Sequence, residues 1–418
     1  MIGDLKLVWR NRRYRLLFLA RFVSNIGNGL MPIALAFGVL SLPGGSATEL
    51  SYVTTSQMLP IVVFLLVGGV VADRFGRAQL VGGTDIIGSF AVGTMGLLFI
   101  THHATILLLC MAGAVSGTLN ALWYPAFVGL MPEIVEADEL QAANSLLGFG
   151  ANIGYIIGAS TAGVIVNTAG AGWAILTNAA TFLVAGFLVW QLRSPRQIID
   201  EHAPNESIIH QMKEGWREFK SREWLVVIVA AFALSNMCFE GYLGVLAPLR
   251  MKEAFNGASS MSWLLTAFSV GSVAGVLLSI RVNPRRPLVA AMALFPLLGV
   301  LMLGTGIALP LVFLMPLAFL GGIALDMFWV LWITTMQREI PDDLRGRIGA
   351  YDAFGSTVFA PLGLFVAGPV AAWISSRTTL LIAGTVVIVA SSATLLSKGV
   401  RSVTTDGQSA VSTPDSER

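Results

Sequence analysis

The sequence predicts an all-α, polytopic membrane protein: twelve transmembrane helices in two pseudo-symmetric six-helix halves. Three observations lead there. The chain of 418 residues is 55% hydrophobic and 12% charged, with a mean hydropathy of +0.75; a soluble domain carries about twice that charge. Apolar runs long enough to cross a bilayer recur along the whole length. The Lys and Arg residues fall almost entirely on one side of the spans so defined.

The spans are expected at 16–40, 50–72, 79–100, 105–131, 144–167, 172–192, 224–247, 260–281, 287–308, 310–336, 348–374 and 378–397. The N-terminus is basic (Lys6, Arg10, Arg12, Arg13, Arg15) and enters an apolar stretch too long for a signal-peptide core, so the first span is expected to stay uncleaved. With the N-terminus in the cytoplasm, 22 of the 26 Lys and Arg lie inside, only Arg250, Lys252 and Arg377 lie outside, and Arg21 sits within the first span. This bias, with an even span number, places both termini in the cytoplasm.

Connections are short except for 193–223 at the midpoint. The expected organisation is therefore a six-helix half over 1–192, a cytoplasmic linker over 193–223, a second half over 224–398 and a disordered tail over 399–418. In the linker, Ile208, Ile209, Met212, Trp216 and Phe219 recur at helical spacing, with Lys213, Arg217, Lys220 and Arg222 on the other face. That pattern predicts an amphipathic helix on the cytoplasmic leaflet. The tail is rich in Ser, Thr, Asp and Gly.

The fourth and tenth spans align at an offset of 206 residues: Leu119-Asn120 with Leu325-Asp326, Trp123 with Trp329, Glu133-Ile134 with Glu339-Ile340. Several matches at one offset in a 6 + 6 chain indicate two related halves. Proteins so built hold their cargo between the halves near the midplane and rock one half against the other.

Between the second and third spans, an apolar run meets Asp73, Arg74, Gly76 and Arg77 within five residues. The stretch Gly69 to Arg77 resembles the corresponding loop of the major facilitator superfamily, G-x-x-x-D-R-x-G-R-[RK], with Ala78 where a basic residue is usual. Tyr124-Pro125-Ala126-Phe127, Leu130-Met131-Pro132-Glu133, Glu139 to Leu146, Gln337 to Pro341 and Leu344 to Arg347 are similar to its enterobactin-exporter-like and macrolide-efflux-like branch. The resemblance covers nearly the whole chain. It implies the major facilitator fold and proton-driven efflux of small amphipathic molecules or siderophores. In the fifth span, Gly150, Gly154 and Gly158 recur every four residues, a spacing for close helix packing. It resembles the antiporter motif, but Ala159 follows Gly158 where a proline is usual, so the direction of transport is not fixed by it.

Gly76 permits a tight turn. The resemblance implies that Asp73 faces the start of the eleventh span near Ile348, where a helix N-terminus favours a carboxylate. Arg74 and Arg77 would hold Asp352 or Asp343 of the opposite half, closing the cytoplasmic side as a latch. The alternative is that these charges anchor a loop at the headgroups.

An ionisable residue at membrane depth is costly and marks function. Arg21 in the first span shares a helix face with Asn25 and Asn28, and Asp85 in the third lies at similar depth. The two form either a functional pair or a fixed salt bridge. Asp326 stands near the bilayer midplane, expected among Phe328, Trp329 and Trp332; Glu240 lies in the outer third of the seventh span. Asp326, Glu240, Asp85 and Arg21 are the proton-coupling candidates. Asp352, a few residues into the eleventh span, is expected to be a helix-start carboxylate. Asn25, Asn28, Asn120, Trp123, Tyr124, Trp329 and Trp332 are candidates for a substrate cavity, the aromatics alternatively serving as packing or interface anchors.

No ATP-binding loop, nucleophile–base arrangement or metal-ligand spacing occurs, and Cys110 and Cys238 read as buried small hydrophobes. The function expected is that of a proton-coupled secondary exporter of hydrophobic or amphipathic molecules such as antibiotics. It is expected to be a multi-pass monomer of the bacterial inner membrane, without cofactor, metal or nucleic-acid partner; its partners are a small-molecule substrate, protons and the lipid bilayer. A siderophore exporter is the second reading, and a non-transporting sensor or scaffold the third.

Overall fold

The computed structural model describes residues 11–136, 138–192, 208–282 and 284–405, with side chains except at 65–75, 208–213 and 342–343. The described residues contain helices and no strand. The chain clusters into two compact units: residues 1–202, 240–269 and 364–379 in the first, and 203–239, 270–363 and 380–418 in the second.

The first unit contains α1 (Arg12–Leu40), α2 (Ala47–Phe75), α3 (Arg77–Ile100), α4 (Ile106–Leu130), α5 (Leu140–Thr168) and α6 (Ala171–Trp190). Their starts follow local chemistry. Asn11 caps α1 by accepting the N–H groups of Arg13 (3.0 Å) and Tyr14 (3.2 Å), Ser46 caps α2 and Thr105 caps α4. Gly76 makes the α2–α3 turn at φ +86°, a conformation that a side chain resists.

These helices pack through small residues, because in lipid only close contact favours association. In the α3–α6 pair the glycines interlock: a Cβ on Gly82 would lie 3.0 Å from Gly186 O, and one on Gly186 2.9 Å from Gly82 O. Along α1–α5, Gly150 faces the Phe18 ring, Gly154 the Phe22 carbonyl and Gly158 the Ile26 carbonyl. At the Arg12 end of α1, Tyr14, Leu17, Leu130, Ile134, Leu147 and Val189 belong to one buried apolar cluster, and Tyr14 Oη donates to Ala143 O (2.7 Å).

The second unit holds α7 (Ile208–Ser221), α8 (Glu223–Gly241), α11 (Pro287–Leu294), α12 (Pro296–Gly306), α13 (Leu311–Glu339), α14 (Asp342–Thr357), α16 (Ser376–Thr394) and α17 (Lys398–Ser402). Three helical spans change unit along their length: α8 runs through a π-helical segment, Tyr242–Leu246, into α9 (Ala247–Ala254); α10 (Ala258–Arg281) changes at Ser269; and α14 is followed by α15 (Ala360–Ile374), which enters the first unit at Leu364. The units therefore do not coincide with the 1–192 and 224–398 halves. The reason is local: the segments 240–269 and 364–379 pack on α1, α2 and α5, as described below.

Eleven helices or helix runs among the described residues are long and apolar enough to cross a membrane; α2, 29 residues long, occupies the remaining expected span. Two expectations are refined. Helix α7 sets part of its apolar face against the protein: Trp216 stays half-exposed, and the side chains of Ile208, Ile209 and Met212 lie outside those described. Trp216 and Phe219 stack on each other and pack on Tyr351 of α14, Gly215 fits against Arg347, and Arg347 pairs with Glu214. The neighbouring helix α14 thus covers Phe219. The tail is ordered at its start: α17 is capped by Ser397, Val400 is buried, and Thr405 N donates to Arg285 O (3.0 Å). Residues 406–418 lie outside the described residues, as do 193–207.

Candidate functional site

In the first unit, α1, α3, α4 and α6 surround a cavity of about 190 Å³ lined by Arg21, Ser24, Asn28, Thr84, Asp85, Gly88, Ser116, Leu119, Asn120, Trp123 and Phe182. Ser24 and Asn28 follow Arg21 at helical spacing, and Ser116 and Asn120 precede Trp123, so each helix offers one polar stripe. Within the largely apolar spans, this polar face brings an acid and a base together.

The electrostatics are specific. The Arg21 guanidinium stands 4.6 Å from the Trp123 ring centre and 4.7 Å from that of Phe127, and those two rings are stacked at 4.5 Å. Asp85 lies close enough to feel the Arg21 charge. Among the described residues no direct ion pair joins Arg21 to Asp85, and Arg21 Nε is buried without a hydrogen-bond acceptor. An arginine at a helix centre costs about 3 kcal/mol on insertion scales. A desolvated cation–π contact returns about 2 kcal/mol, and the nearby carboxylate adds to it. The fixed salt bridge allowed by the sequence is therefore not the arrangement found.

Of the expected cavity residues, Asn28, Asn120 and Trp123 line this space. Asn25 does not: its Nδ2 donates back to Arg21 O (2.8 Å), one turn earlier in the same helix. Tyr124 does not either; one residue beyond Trp123, it is exposed on another face of α4. Ser24, Thr84, Ser116 and Phe182 were not singled out from the sequence. For Ser24, Thr84 and Ser116 the signal is spacing, one, three or four residues from a charged or amide group already named; Phe182 carries no such signal.

In the second unit, the rings of Phe232, Phe328, Trp329 and Trp332 gather around a carboxylate, but it is Asp352 and not Asp326. Trp332 Nε1 donates to Asp352 Oδ2 (3.0 Å) and Ser356 Oγ to Oδ1 (3.3 Å). Helical geometry explains the exchange. Phe328 and Trp332, four residues apart and stacked, share a face; Asp326 lies on nearly the opposite one and meets Ser272 of α10. Asp352 is likewise no helix-start carboxylate, because α14 begins at Asp342, almost three turns earlier. Trp329 is partly exposed at the edge of this group, and Asn236 Nδ2 donates to Ser356 O (3.1 Å).

Glu240, in the first unit, is half-buried at the last α-helical turn before the π segment, and Tyr155 of α5 feels its charge. Around the charged turn, Arg77 is engaged within its own half: Nη1 donates to Gly129 O (2.8 Å) and to Glu133 Oε1 (3.3 Å). The side chains of Gly69, Asp73, Arg74 and Asp343 lie outside those described. Asp352 is taken by Trp332 and Ser356.

Many membrane-crossing helices, with a polar cavity between them holding an acid and a base, fit a membrane transporter of small molecules. The chain belongs to the family described as transmembrane secretion effector, within the major facilitator superfamily, which it matches over residues 8–416. It is 25% identical over 371 residues to the multidrug efflux pump Tap of Mycolicibacterium fortuitum, covering 85% of this chain and 88% of that protein. It is 26% identical over 404 residues to the enterobactin exporter EntS of Shigella boydii, covering 92% and 93%. Among solved structures, it resembles the nucleoside transporter NupG (TM-score 0.71, 14% identity, 92% of this chain and 98% of that one). It also resembles a bacterial homologue of the iron transporter ferroportin (TM-score 0.66, 17% identity, 91% and 99%). At these identities the structural likeness speaks for the fold.

Proposed function

We propose that this transporter is a proton-coupled exporter of hydrophobic or amphipathic small molecules, working by alternating access as a monomer with both termini in the cytoplasm. The observation that carries the reading is the cavity around Arg21 and Asp85. A carboxylate beside a cation that is held by aromatic rings, and not locked in an ion pair, is free to exchange a proton for a ligand contact. Trp123 and Phe182 offer flat apolar surface to the ligand; Asn28, Asn120, Ser24 and Ser116 offer hydrogen bonds. Asp326 and Glu240 are further proton-carrying candidates. Gly150, Gly154 and Gly158 hold α5 against α1, and the turn at Gly69, Asp73, Arg74, Gly76 and Arg77 serves the cytoplasmic gate, with Arg77 tying it to Gly129 and Glu133. The positive-inside distribution of Lys and Arg supports the orientation.

A second reading is export of an anionic siderophore. Arg21 favours it, since its buried Nε has no acceptor and would take an oxygen of the ligand; the likeness to the enterobactin exporter runs in the same direction. Inside-out vesicles test both. An imposed pH gradient should drive uptake of ethidium under the first reading and of enterobactin under the second, and Asp85→Asn should abolish it. If the gradient drives neither probe into vesicles holding folded protein, the transport reading fails.

A further inference from the structure

Two hydrogen bonds at the Leu40 end of α1 repeat one design. Gly163 N, in α5, donates to Ser262 Oγ of α10 at 2.6 Å. Gly368 N, in α15, donates to Ser51 Oγ of α2 at 2.8 Å. Both bonds are buried, as are both serines. The surroundings match as well. A Cβ on Gly163 would strike the carbonyl of Ala258, and one on Gly368 that of Ala47. Ala47 and Ser51 stand to Ala258 and Ser262 at a common offset of 211 residues, and Gly163 stands to Gly368 at 205. The internal repeat read in the fourth and tenth spans thus reappears as twin contacts, each joining one helix of the first six to one of the second six.

Less buried bonds flank them at the same end: Asn167 Nδ2 to Ser259 Oγ (2.7 Å), Lys252 Nζ to Leu40 O, and Ser376 Oγ to Glu253 Oε2 (2.5 Å). Glycine is required because only without a Cβ can the backbones come close enough for a serine hydroxyl to reach a helix N–H. A seam of short, directional bonds from backbone N–H groups to serine hydroxyls closes tightly, yet each bond can break and re-form.

We propose that Ser51 and Ser262 are paired positioning residues of the transport cycle: their two hydroxyls hold this end shut, and both bonds open for the cavity to face that side. The inference rests on the transport reading above, from which its test is separable.

The full chain, with Cys110 and Cys238 replaced by alanine, is reconstituted in liposomes. In the first arm, Asn167→Cys and Ser259→Cys are joined by a short, disulfide-forming bifunctional reagent. Gradient-driven transport of ethidium or enterobactin should fall about tenfold or more and return on reduction; transport at the unmodified rate after full cross-linking overturns the proposal. In the second arm, Ser116→Cys reports access from the Leu40 end to a membrane-impermeant maleimide. Adding S51A and S262A should raise the labelling rate about tenfold. S391A, which removes a buried hydroxyl bonded only within its own helix, should leave the rate unchanged. An unchanged rate in the double variant, or an equal rise in S391A, overturns the proposal. If wild type moves neither probe, the transport reading fails while the labelling arm still judges the seam.

Discussion

The Arg21 guanidinium faces the Trp123 ring at 4.6 Å, its Nε buried without a hydrogen-bond acceptor, and among the described residues it makes no direct ion pair with Asp85. A planar cation on a ring face is held by its shape as much as by its charge. Lysine at position 21 keeps the charge but not the plane. Arg21→Lys should therefore weaken substrate affinity about tenfold, and Arg21→Ala more, as read by the half-saturation concentration in vesicle uptake. Equal affinity in Arg21→Lys would mean that charge alone matters there.

Asp85 should separate coupling from binding. Asp85→Asn should abolish accumulation driven by a pH gradient while leaving substrate exchange at equal pH on both sides. Asp326→Asn, made in parallel, assigns the coupling: if it alone abolishes accumulation, Ser272 and Asp326 mark the proton site in place of the α1–α3 cavity.

The α1–α5 contact should tolerate little added volume. Gly158→Val would push a branched side chain into the Ile26 carbonyl. Overpacking of this kind costs about 1–3 kcal/mol. Thermal unfolding in detergent should occur several degrees lower, whereas Gly148→Ala, where a Cβ meets open space, should leave the midpoint unmoved.

Trp332 and Asp352 should behave as one unit. Trp332→Phe keeps the ring stack on Phe328 but removes the donor to Asp352 Oδ2. A buried acceptor so orphaned costs about 1–3 kcal/mol. Thermal stability should fall, and the loss should shrink in a background carrying Asp352→Leu; additive losses would show that the hydrogen bond contributes little.

On the linker helix, apolar contact should outweigh charge. Phe219 is buried against Tyr351, whereas Glu214 and Arg347 are partly exposed, and such surface pairs contribute at most about 1 kcal/mol. Phe219→Ala should expose α7 to limited proteolysis more than Glu214→Gln does.

The helices were legible because lipid demands length and apolarity, which a one-dimensional reading measures directly. Arg21, Asp85, Asn28, Asn120 and Trp123 were legible for the same reason, since polar groups stand out in apolar runs. Azimuth was harder to read. Asn25 turned back to its own helix, Tyr124 fell one residue off the cavity face, and the aromatic group closed on Asp352 because Asp326 points the other way. Partner choice was harder still. An amphipathic pattern in α7 says that one face is apolar, not whether lipid or Tyr351 covers it. The seam serines gave no signal because serine and alanine are ordinary residues in a membrane helix; only the glycines opposite give them meaning.

The π segment at Tyr242–Leu246 sets a phase. A π turn holds one residue more than an α turn, so it rotates everything beyond it by about 100° about the helix axis. Lys252 and Glu253, which reach Leu40 O and Ser376, hold those partners only with that rotation in place. Removing a single residue between Tyr242 and Leu246 would leave an unbroken, equally apolar helix of ordinary winding. Yet it would point both charged groups at the wrong neighbours. The residue count of this segment, more than the identity of any side chain in it, is what the chain has to keep.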